Sequence, residues 1–353
     1  MDHELMARAL ALAELGWGQT APNPMVGAVL VRDGEIVGEG YHARYGGDHA
    51  EIVALRMAGE RALGATMYVT LEPCAHHGKT PPCADAILTA GVARVVAATT
   101  DPNPVAAGGA ARLLAAGVEF EVGVGEKAAR ELNAPFFHAV HSKRPWVTLK
   151  LGVSLDGAIA DSNGQSKWIT NAASRRETHR LRAGSDAIAV GIGTVVADDP
   201  MLTVREAPVP PRLPPIRVVF DRSARLPLDS QLVRTAREVP VVVVADRSAL
   251  VLEAHGVEVI VAQTTLEALE SLKKRGVRAL LVEGGARLAG ELLGEKLVDR
   301  LVIFQSPRIL GAGATGAFAF APRETAADAP KLPVLVRRAF DDDLMTVYQC
   351  SRD

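Results

Sequence analysis

The chain has 353 residues, 48% hydrophobic and 23% charged, which excludes disorder and suffices for two hydrophobic cores. Its 39 basic and 41 acidic residues leave a formal net charge of −2. That balance excludes nucleic acid as the main ligand, but not one small phosphate in a local pocket. The three cysteines, Cys74, Cys83 and Cys350, are too few and uneven for a disulfide framework and fit a reducing cytoplasm. No apolar run approaches the roughly 18 residues of a membrane span, and the stretch from Met1 to Trp17 reads as an amphipathic helix rather than a signal peptide.

Leu5 to Leu15 repeats apolar residues at helical spacing and is stopped by Gly16 and Gly18. Asn23-Pro24 turns into a strand from Val26 to Val31, and Arg32 to Glu35 turns that strand into another, Ile36 to Tyr41. His49 to Ala62 is expected to be helical, with His49 and Glu51 in its first turn. Thr66 to Leu71 reads as a strand. Pro81 to Ala90 reads as a helix opened by prolines and ended by Gly91. A strand from Val92 to Thr99 leads into the turn cluster Asp101-Pro102-Asn103-Pro104. Then come a helix from Gly108 to Ala116, a strand from Val118 to Val124, and one helix from Glu126 to Val140. The alternation predicts a layered α/β domain over residues 1–144, ending in the short polar stretch from His141 to Pro145.

Residues 145–353 form a second α/β domain. Trp146 to Val153 is a strand, and Leu155 to Gly157 turns into Ala158 to Ala160. Asn171 is a suitable N-cap for a helix from Ala172 to Ala183. Strands follow at Asp186 to Val190, Ile216 to Phe220, Val239 to Ala245, Val257 to Val261 and Ala279 to Val282, and helices at Leu266 to Arg275 and Ala286 to Leu293. Leu297 to Phe304 and Met345 to Cys350 close the domain as strands. No strand-linked G-x-G-x-x-G occurs. Gly284-Gly285, between a strand and a helix, could expose backbone N–H groups to a phosphate, or could simply be a glycine turn. Gly191-Ile192-Gly193-Thr194 is a second candidate of the same kind.

The chemistry concentrates between His49 and Cys83. H-A-E at His49 to Glu51 is followed by E-P-C-A-H-H-G-K-T-P-P-C from Glu72 to Cys83. H-x-E with P-C-x-x-C is the signature of zinc deaminases acting on nucleobases. Here the second cysteine comes late, with eight residues between Cys74 and Cys83. His49, Cys74 and Cys83 would bind zinc and leave a fourth position for water, with Glu51 as the proton shuttle. A metal-free pair of buried cysteines, or a structural zinc completed by His76, His77, His42 or His3, are the competing arrangements.

These motifs, together with N-P-M-V-G-A-V-L from Asn23 to Leu30 and D-P-N-P from Asp101, resemble the deaminase domain of the bifunctional deaminase–reductases of bacterial riboflavin biosynthesis. In that family the second cysteine follows a G-K-T-P-P insertion, so the wide gap belongs to the pattern. K-L-G-V-S-L-D-G-A-I-A, S-K-W-I-T-N, the stretch from Leu181 to Arg205 and V-E-G-G are similar to the reductase domain of the same family. The resemblance implies a cytidine-deaminase-like three-layer domain followed by a dihydrofolate-reductase-like α/β domain. It implies zinc and NADPH as cofactors, a small phosphorylated pyrimidine as substrate, no nucleic acid or membrane partner, and a homo-oligomer, dimer or tetramer.

It also implies that Asn23, His42, Lys79, Asp101 and Asn103 contact the deaminase substrate, Asn23 and Asn103 as amides for a pyrimidine edge, His42 and Lys79 as cations for the phosphate. The same carry-over gives Val153, Trp168, Thr194, Asp198, Gly285, Ala286, Arg287, Leu288, Ala289, Gly290 and Glu291 to the cofactor. Ser166, Arg182, Leu202, Arg205 and Glu283 go to the reductase substrate, the two arginines as phosphate clamps. Arg222 stands where some relatives have serine, and its guanidinium could meet the 2′-phosphate of NADPH. For these positions the plainer alternatives are turn chemistry for the Asn and Asp residues, surface salt bridges for the arginines and a core position for Trp168. A zinc deaminase of another nucleotide with a binding-only second domain is the competing function. A nucleic-acid-binding zinc module is opposed by the charge balance.

Overall fold

Side chains along β1 (Gly27–Arg32) alternate between two cores: Ala28 and Leu30 face one, Val29 and Val31 the other. The computed structural model describes residues 1–76, 81–319, 325, 327 and 329–350, and the chain divides into two units, Met1–Ser142 and Lys143–Asp353. Lys79 lies outside the described residues.

In the first unit α1 (Asp2–Glu14) precedes β1, and β2 (Glu35–Tyr41) follows it as an antiparallel partner. Next come α2 (Ala50–Ala58), β3 (Thr66–Val69), α3 (Cys83–Thr89), β4 (Arg94–Ala97), α4 (Gly109–Ala115) and β5 (Glu119–Val122), then α5 (Glu126–Leu132) and α6 (Ala134–His141). The strand order is β2-β1-β3-β4-β5, with β3, β4 and β5 parallel. Met67, Val69, Val95 and Ala97 pack with α2, α3 and α4, while Tyr68 and Val96 pack with α1 and α5. Helices therefore cover both faces, giving three layers.

The second unit runs β6 (Trp146–Val153), β7 (Ala158–Ala160), α7 (Ala172–Ala183), β8 (Ala187–Gly191), α8 (Ile192–Asp198), β9 (Ile216–Phe220), α9 (Gln231–Arg234), β10 (Val241–Ala245), α10 (Leu250–Ala254) and β11 (Glu258–Val261). It continues with α11 (Thr265–Lys274), β12 (Ala279–Glu283), α12 (Ala286–Gly294), β13 (Arg300–Gln305), β14 (Thr315–Gly316), β15 (Val334–Phe340) and β16 (Asp343–Gln349). Nine of these strands form one sheet in the order β11-β10-β9-β8-β12-β6-β13-β16-β15. Its parallel part inserts β12 between β8 and β6, and β16 and β15 add an antiparallel edge. Helices α11 and α12 cover one face, and α8, α9 and α10 pack on the other. As expected, the Asn171 side chain caps α7, accepting from the Ser174 N–H at 2.9 Å.

Several elements depart from the expectations, the short helices α9 and α10 and the two-residue strand β14 among them. The single helix expected from Glu126 to Val140 breaks at Asn133, because Pro135 has no N–H to continue the ladder. The buried Asn133 side chain is used instead as a bridge: it accepts from the Met25 N–H and donates to the Met25 carbonyl, both at 2.8 Å. The glycine stretch from Gly191 to Thr194 enters a helix, α8, which was not among the expected helices. β15 was not expected, since it is a mostly exposed edge strand without a clear apolar alternation.

Asn133→Ala should lower the unfolding free energy by about 1–3 kcal/mol, two buried hydrogen bonds being lost. A denaturant midpoint equal to that of the parent chain would show that Pro135 alone sets the break.

Candidate functional sites

In the first unit the sequence motifs meet at one edge of the sheet, where parallel strands β3 and β4 end and β1 begins. His49 is the N-cap residue of α2, in extended conformation, which places Glu51 in the first helical turn. Cys74 lies in the turn after β3, and Cys83 opens α3. Their ligand atoms all lie within 4.8 Å of one another. His49 Nδ1 is 3.2 Å from Cys83 Sγ and 3.6 Å from Cys74 Sγ. Zinc bonded at about 2.1 Å to nitrogen and 2.3 Å to sulfur has tetrahedral N···S edges of about 3.6 Å, so this donor set fits the ion. The thiols are held in unequal states. Cys74 is pushed down by the hydrogen bond from the Cys83 thiol and by the His49 ring, against burial, whereas Cys83 is pushed up by the same bond and by burial.

Glu51 is 3% exposed, and burial raises its pKa above the ordinary carboxylate range. Glu72 was quoted in the motif but given no role. Its carboxylate accepts from the backbone N–H groups of Asp101, Gly108 and Ala110 at 3.2, 3.1 and 3.0 Å. It thus ties the Cys74 turn to the loop carrying Asp101 and to the start of α4. Gly109 sits so close to this turn that a Cβ there would lie 1.8 Å from the Pro73 carbonyl oxygen.

The sequence reading of His42 as a cation needs correction. Its ring is 2% exposed, and burial lowers its pKa, so it is neutral. Nδ1–H donates to the Asp48 carbonyl at 3.0 Å, which leaves Nε2 to accept from the Asn23 amide at 3.4 Å. Asn23 Oδ1 is therefore the atom left to accept from a ligand. The His42 ring also meets His49 edge-on, with centroids 5.3 Å apart. Asp101 and Asn103 each accept a backbone N–H two residues on, at 2.8 and 3.1 Å, so both serve their own turn. Burial pushes the Asp101 carboxyl up.

In the second unit a cavity of about 890 Å³ opens where β6, β8, β9 and β12 end, the crevice in which open α/β sheets place ligands. Ser166, Trp168, Arg182, Thr194, Asp198, Arg205, Arg222, Glu283, Gly285, Ala286, Arg287, Leu288 and Glu291 line it. Val153, Leu202, Ala289 and Gly290 are instead buried in packed clusters or against backbone, so a bound molecule would meet the fold behind which they pack. Trp168 is 66% exposed, which excludes the core reading, and the Arg175 guanidinium lies 4.5 Å over its ring. Gly284 and Gly285 have φ of 75° and 85°, and α12 starts there without a side-chain cap, leaving its first N–H groups toward the cavity.

Several expected ligand contacts turn out to pair with each other. Ser166 donates to Asp198 at 2.9 Å, and Arg222 donates to Glu291 at 3.0 Å, with Thr265 on the same carboxylate oxygen. Arg182 donates to both oxygens of Glu283, at 2.5 and 2.9 Å, and to the Thr203 carbonyl at 2.8 Å. Its charge is already matched, so it can offer a phosphate two remaining N–H groups but little net charge. Burial pushes Glu283 up, but the charge and hydrogen bonds of Arg182 outweigh it and hold the carboxyl at about 2. Sequence reasoning missed Lys150, the cross-strand neighbour of Glu283, whose ammonium is lowered by burial. A lysine inside an otherwise apolar strand was the available signal. It also missed His179, a buried histidine on α7 at the cavity wall.

Because Glu283 titrates below its ordinary value near 4.5, its contribution to stability is present above that range and is lost as pH falls toward 2. Glu283→Gln leaves Arg182 without a counter-charge and should cost about 3–5 kcal/mol at neutral pH. Melting curves of variant and parent should therefore converge between about pH 4.5 and 2; a constant difference across that window would exclude the pair as the cause.

Comparison with known proteins finds relatives for both units. The family model described as the RibD C-terminal domain matches residues 145–335, and that of the cytidine and deoxycytidylate deaminase zinc-binding region matches residues 1–99. Riboflavin biosynthesis protein RibD of Aquifex aeolicus is 46% identical over 319 residues, covering 89% of both chains. That of Escherichia coli is 45% identical over 354 residues, covering 94% of both. The structure of Acinetobacter baumannii RibD superposes with a TM-score of 0.89 at 40% identity over 99% of each chain. A Thermotoga maritima structure, described as a diaminohydroxyphosphoribosylaminopyrimidine deaminase/5-amino-6-(5-phosphoribosylamino)uracil reductase, gives 0.88 at 36% identity over 99% of each chain.

Proposed function

The chain belongs to the RibD family and is a bifunctional deaminase and reductase of riboflavin biosynthesis; on that premise we propose how its own residues divide the work. Residues 1–144 perform the deamination and residues 145–353 the reduction. The substrate is 2,5-diamino-6-ribosylamino-4(3H)-pyrimidinone 5′-phosphate, the pyrimidine to which the name of the Thermotoga maritima relative points. The observation that carries the deaminase reading is the convergence of His49, Cys74 and Cys83 beside the buried carboxyl of Glu51.

His49, Cys74 and Cys83 would hold zinc, which when bound would acidify a water to near-neutral pKa. Glu51 would take one proton of the attacking water and deliver it to a ring nitrogen, then take the second from the hydroxyl of the tetrahedral adduct as it becomes the carbonyl and pass it to the amino group, which leaves as ammonia. A carboxyl raised by burial suits a group that must both take and return a proton near neutral pH. Asn23 presents Oδ1 to the amino edge of the pyrimidine, held in that orientation by neutral His42. Asp101 and Asn103 border the same edge, and Lys79 is left as the cation for the phosphate.

In the second unit the residues fit NADPH, which supplies a hydride to C1 of the ribosyl group when bound. The uncapped start of α12, from Gly285 to Leu288, would offer N–H groups to its phosphates, with Ala289 and Gly290 packed behind it and Glu291 at the cavity one turn on. Thr194, Asp198 and Trp168 would border it with Val153 packed behind them in the core, and Arg222 would meet the 2′-phosphate. Glu283 orients the sugar hydroxyls, while Ser166, Arg182 and Arg205, on a segment begun by Leu202, hold the substrate phosphate. The reduced thiols of the zinc site suit the cytoplasm.

The test supplies the diaminopyrimidinone substrate with and without NADPH and identifies products by mass. The parent chain should give the deaminated ribosylamino-uracil phosphate without NADPH and the ribityl product with it. Failure to oxidise NADPH in the presence of the deaminated compound would favour a binding-only second domain. In the same assay Glu51→Ala should retain zinc, measured by metal content, while deamination falls about 10²–10⁴-fold; an active variant removes the proton role. Arg222→Ala should erase the preference for NADPH over NADH, and an unchanged ratio would remove Arg222 from the 2′-phosphate.

A further inference from the structure

Two residues one turn apart on α7 each grip the backbone of the segment from Leu202 to Arg205. The Arg205 N–H donates to Nδ1 of His179 at 3.2 Å, and Nη1 of Arg182 donates to the Thr203 carbonyl at 2.8 Å. Positions i and i+3 share one helix face, so the pair acts as a two-point staple. The segment begins under strain: Leu202 has φ of 51°, in the left-handed region, while its side chain is buried at 3% exposure. Such a backbone keeps its path only where neighbours hold it.

His179 is itself 6% exposed. To accept an N–H its Nδ1 must carry the lone pair, so the ring is neutral and its proton sits on Nε2. Burial, then the charges of Arg182 and Arg205, favour the neutral ring against Glu206 and Glu283. The Arg205 guanidinium at the other end of this chain of contacts is exposed and lines the cavity, and no ion pair among the described residues holds it. Its position therefore depends on where its own backbone is anchored, and a long, rotamer-rich side chain magnifies any error at that root.

We propose that His179 is a positioning residue of the reductase, which sets the root of Arg205 so that its guanidinium meets the phosphate of the substrate. This rests on the assignment of Arg205 to that phosphate. Arg182 then has two tasks, matching Glu283 and pinning Thr203, while Arg205 brings to the cavity a guanidinium that no carboxylate pairs with among the described residues.

The experiment measures steady-state reduction by the full-length protein with NADPH, using the deaminated ribosylamino-uracil with and without its 5′-phosphate. His179→Leu should raise KM for the phosphorylated substrate about tenfold, the worth of one buried hydrogen bond, with kcat little changed. KM for the unphosphorylated compound should not move. His179→Asn, whose amide oxygen can accept the same N–H, should restore most of the loss. Arg205→Gln serves as the reference and should remove the preference for the phosphate altogether. If Arg205→Gln removes it and His179→Leu leaves it intact, the positioning role is overturned. If Arg205→Gln leaves it intact, the phosphate assignment falls, and the proposal with it. A His179→Leu variant that loses rate equally on both compounds, without rescue by asparagine, has a merely structural histidine.

Discussion

A carboxylate taken out of water must be matched by donors or by an opposite charge, because leaving it bare costs several kcal/mol. Both sites are built around that constraint. In the first unit Glu72 satisfies it with three backbone N–H groups, which locks the cysteine turn to the loop beyond β4. In the second, Glu283 satisfies it with Arg182, which ties β12 to α7 and to the segment before Arg205. The same logic recurs away from the cavities. Asp299, with a fully buried side chain, takes both Arg144 amino groups and the Val147 N–H. Asp343 takes the Asn171 N–H and the Ser174 hydroxyl at the start of α7. Each of these four acids joins segments distant in sequence, and Glu72 and Glu283 do so where ligands would bind.

The first site was legible because its chemistry is local. His49 and Glu51 are two residues apart, Cys74 and Cys83 nine apart, and few other chemistries need those types together. The alternation of strand and helix gave a layered α/β domain for the same reason, since periodicity reports burial directly. What failed was decided by tertiary contact. His42 carries no mark in the sequence of its neutral state, which comes from burial and from the Asp48 carbonyl. Arg182 and Glu283 are 101 positions apart, so their pairing was invisible and each was read as a separate substrate contact. The helix break at Asn133 followed from Pro135, a signal that was present and outweighed by an apolar pattern continuing to Val140.

Two reactions of different kinds are handled by one architectural rule. Each site sits where parallel strands end and helices begin, so backbone N–H groups and short turns project into the same space. The deaminase end is specified by side-chain donors packed to within hydrogen-bonding range of one another. The reductase end is specified by shape and by a glycine-opened helix, with charged side chains spaced around a large cavity. That difference matches what each needs: a compact ion with strict geometry, or an extended dinucleotide beside a sugar phosphate.

The position of β12 in the middle of the nine-stranded sheet has a consequence for synthesis. β12 lies between β6 and β8, and pairs Glu283 with Lys150. A ribosome adding about 5–20 residues per second needs roughly 7–27 seconds to travel between those two partners. Through that interval β6 and β8 are without their shared neighbour, and the parallel centre of the sheet cannot close. The first unit, whose order β2-β1-β3-β4-β5 nearly follows the chain, carries no such delay. The deaminase half can therefore complete its sheet while the reductase half still exposes open strand edges.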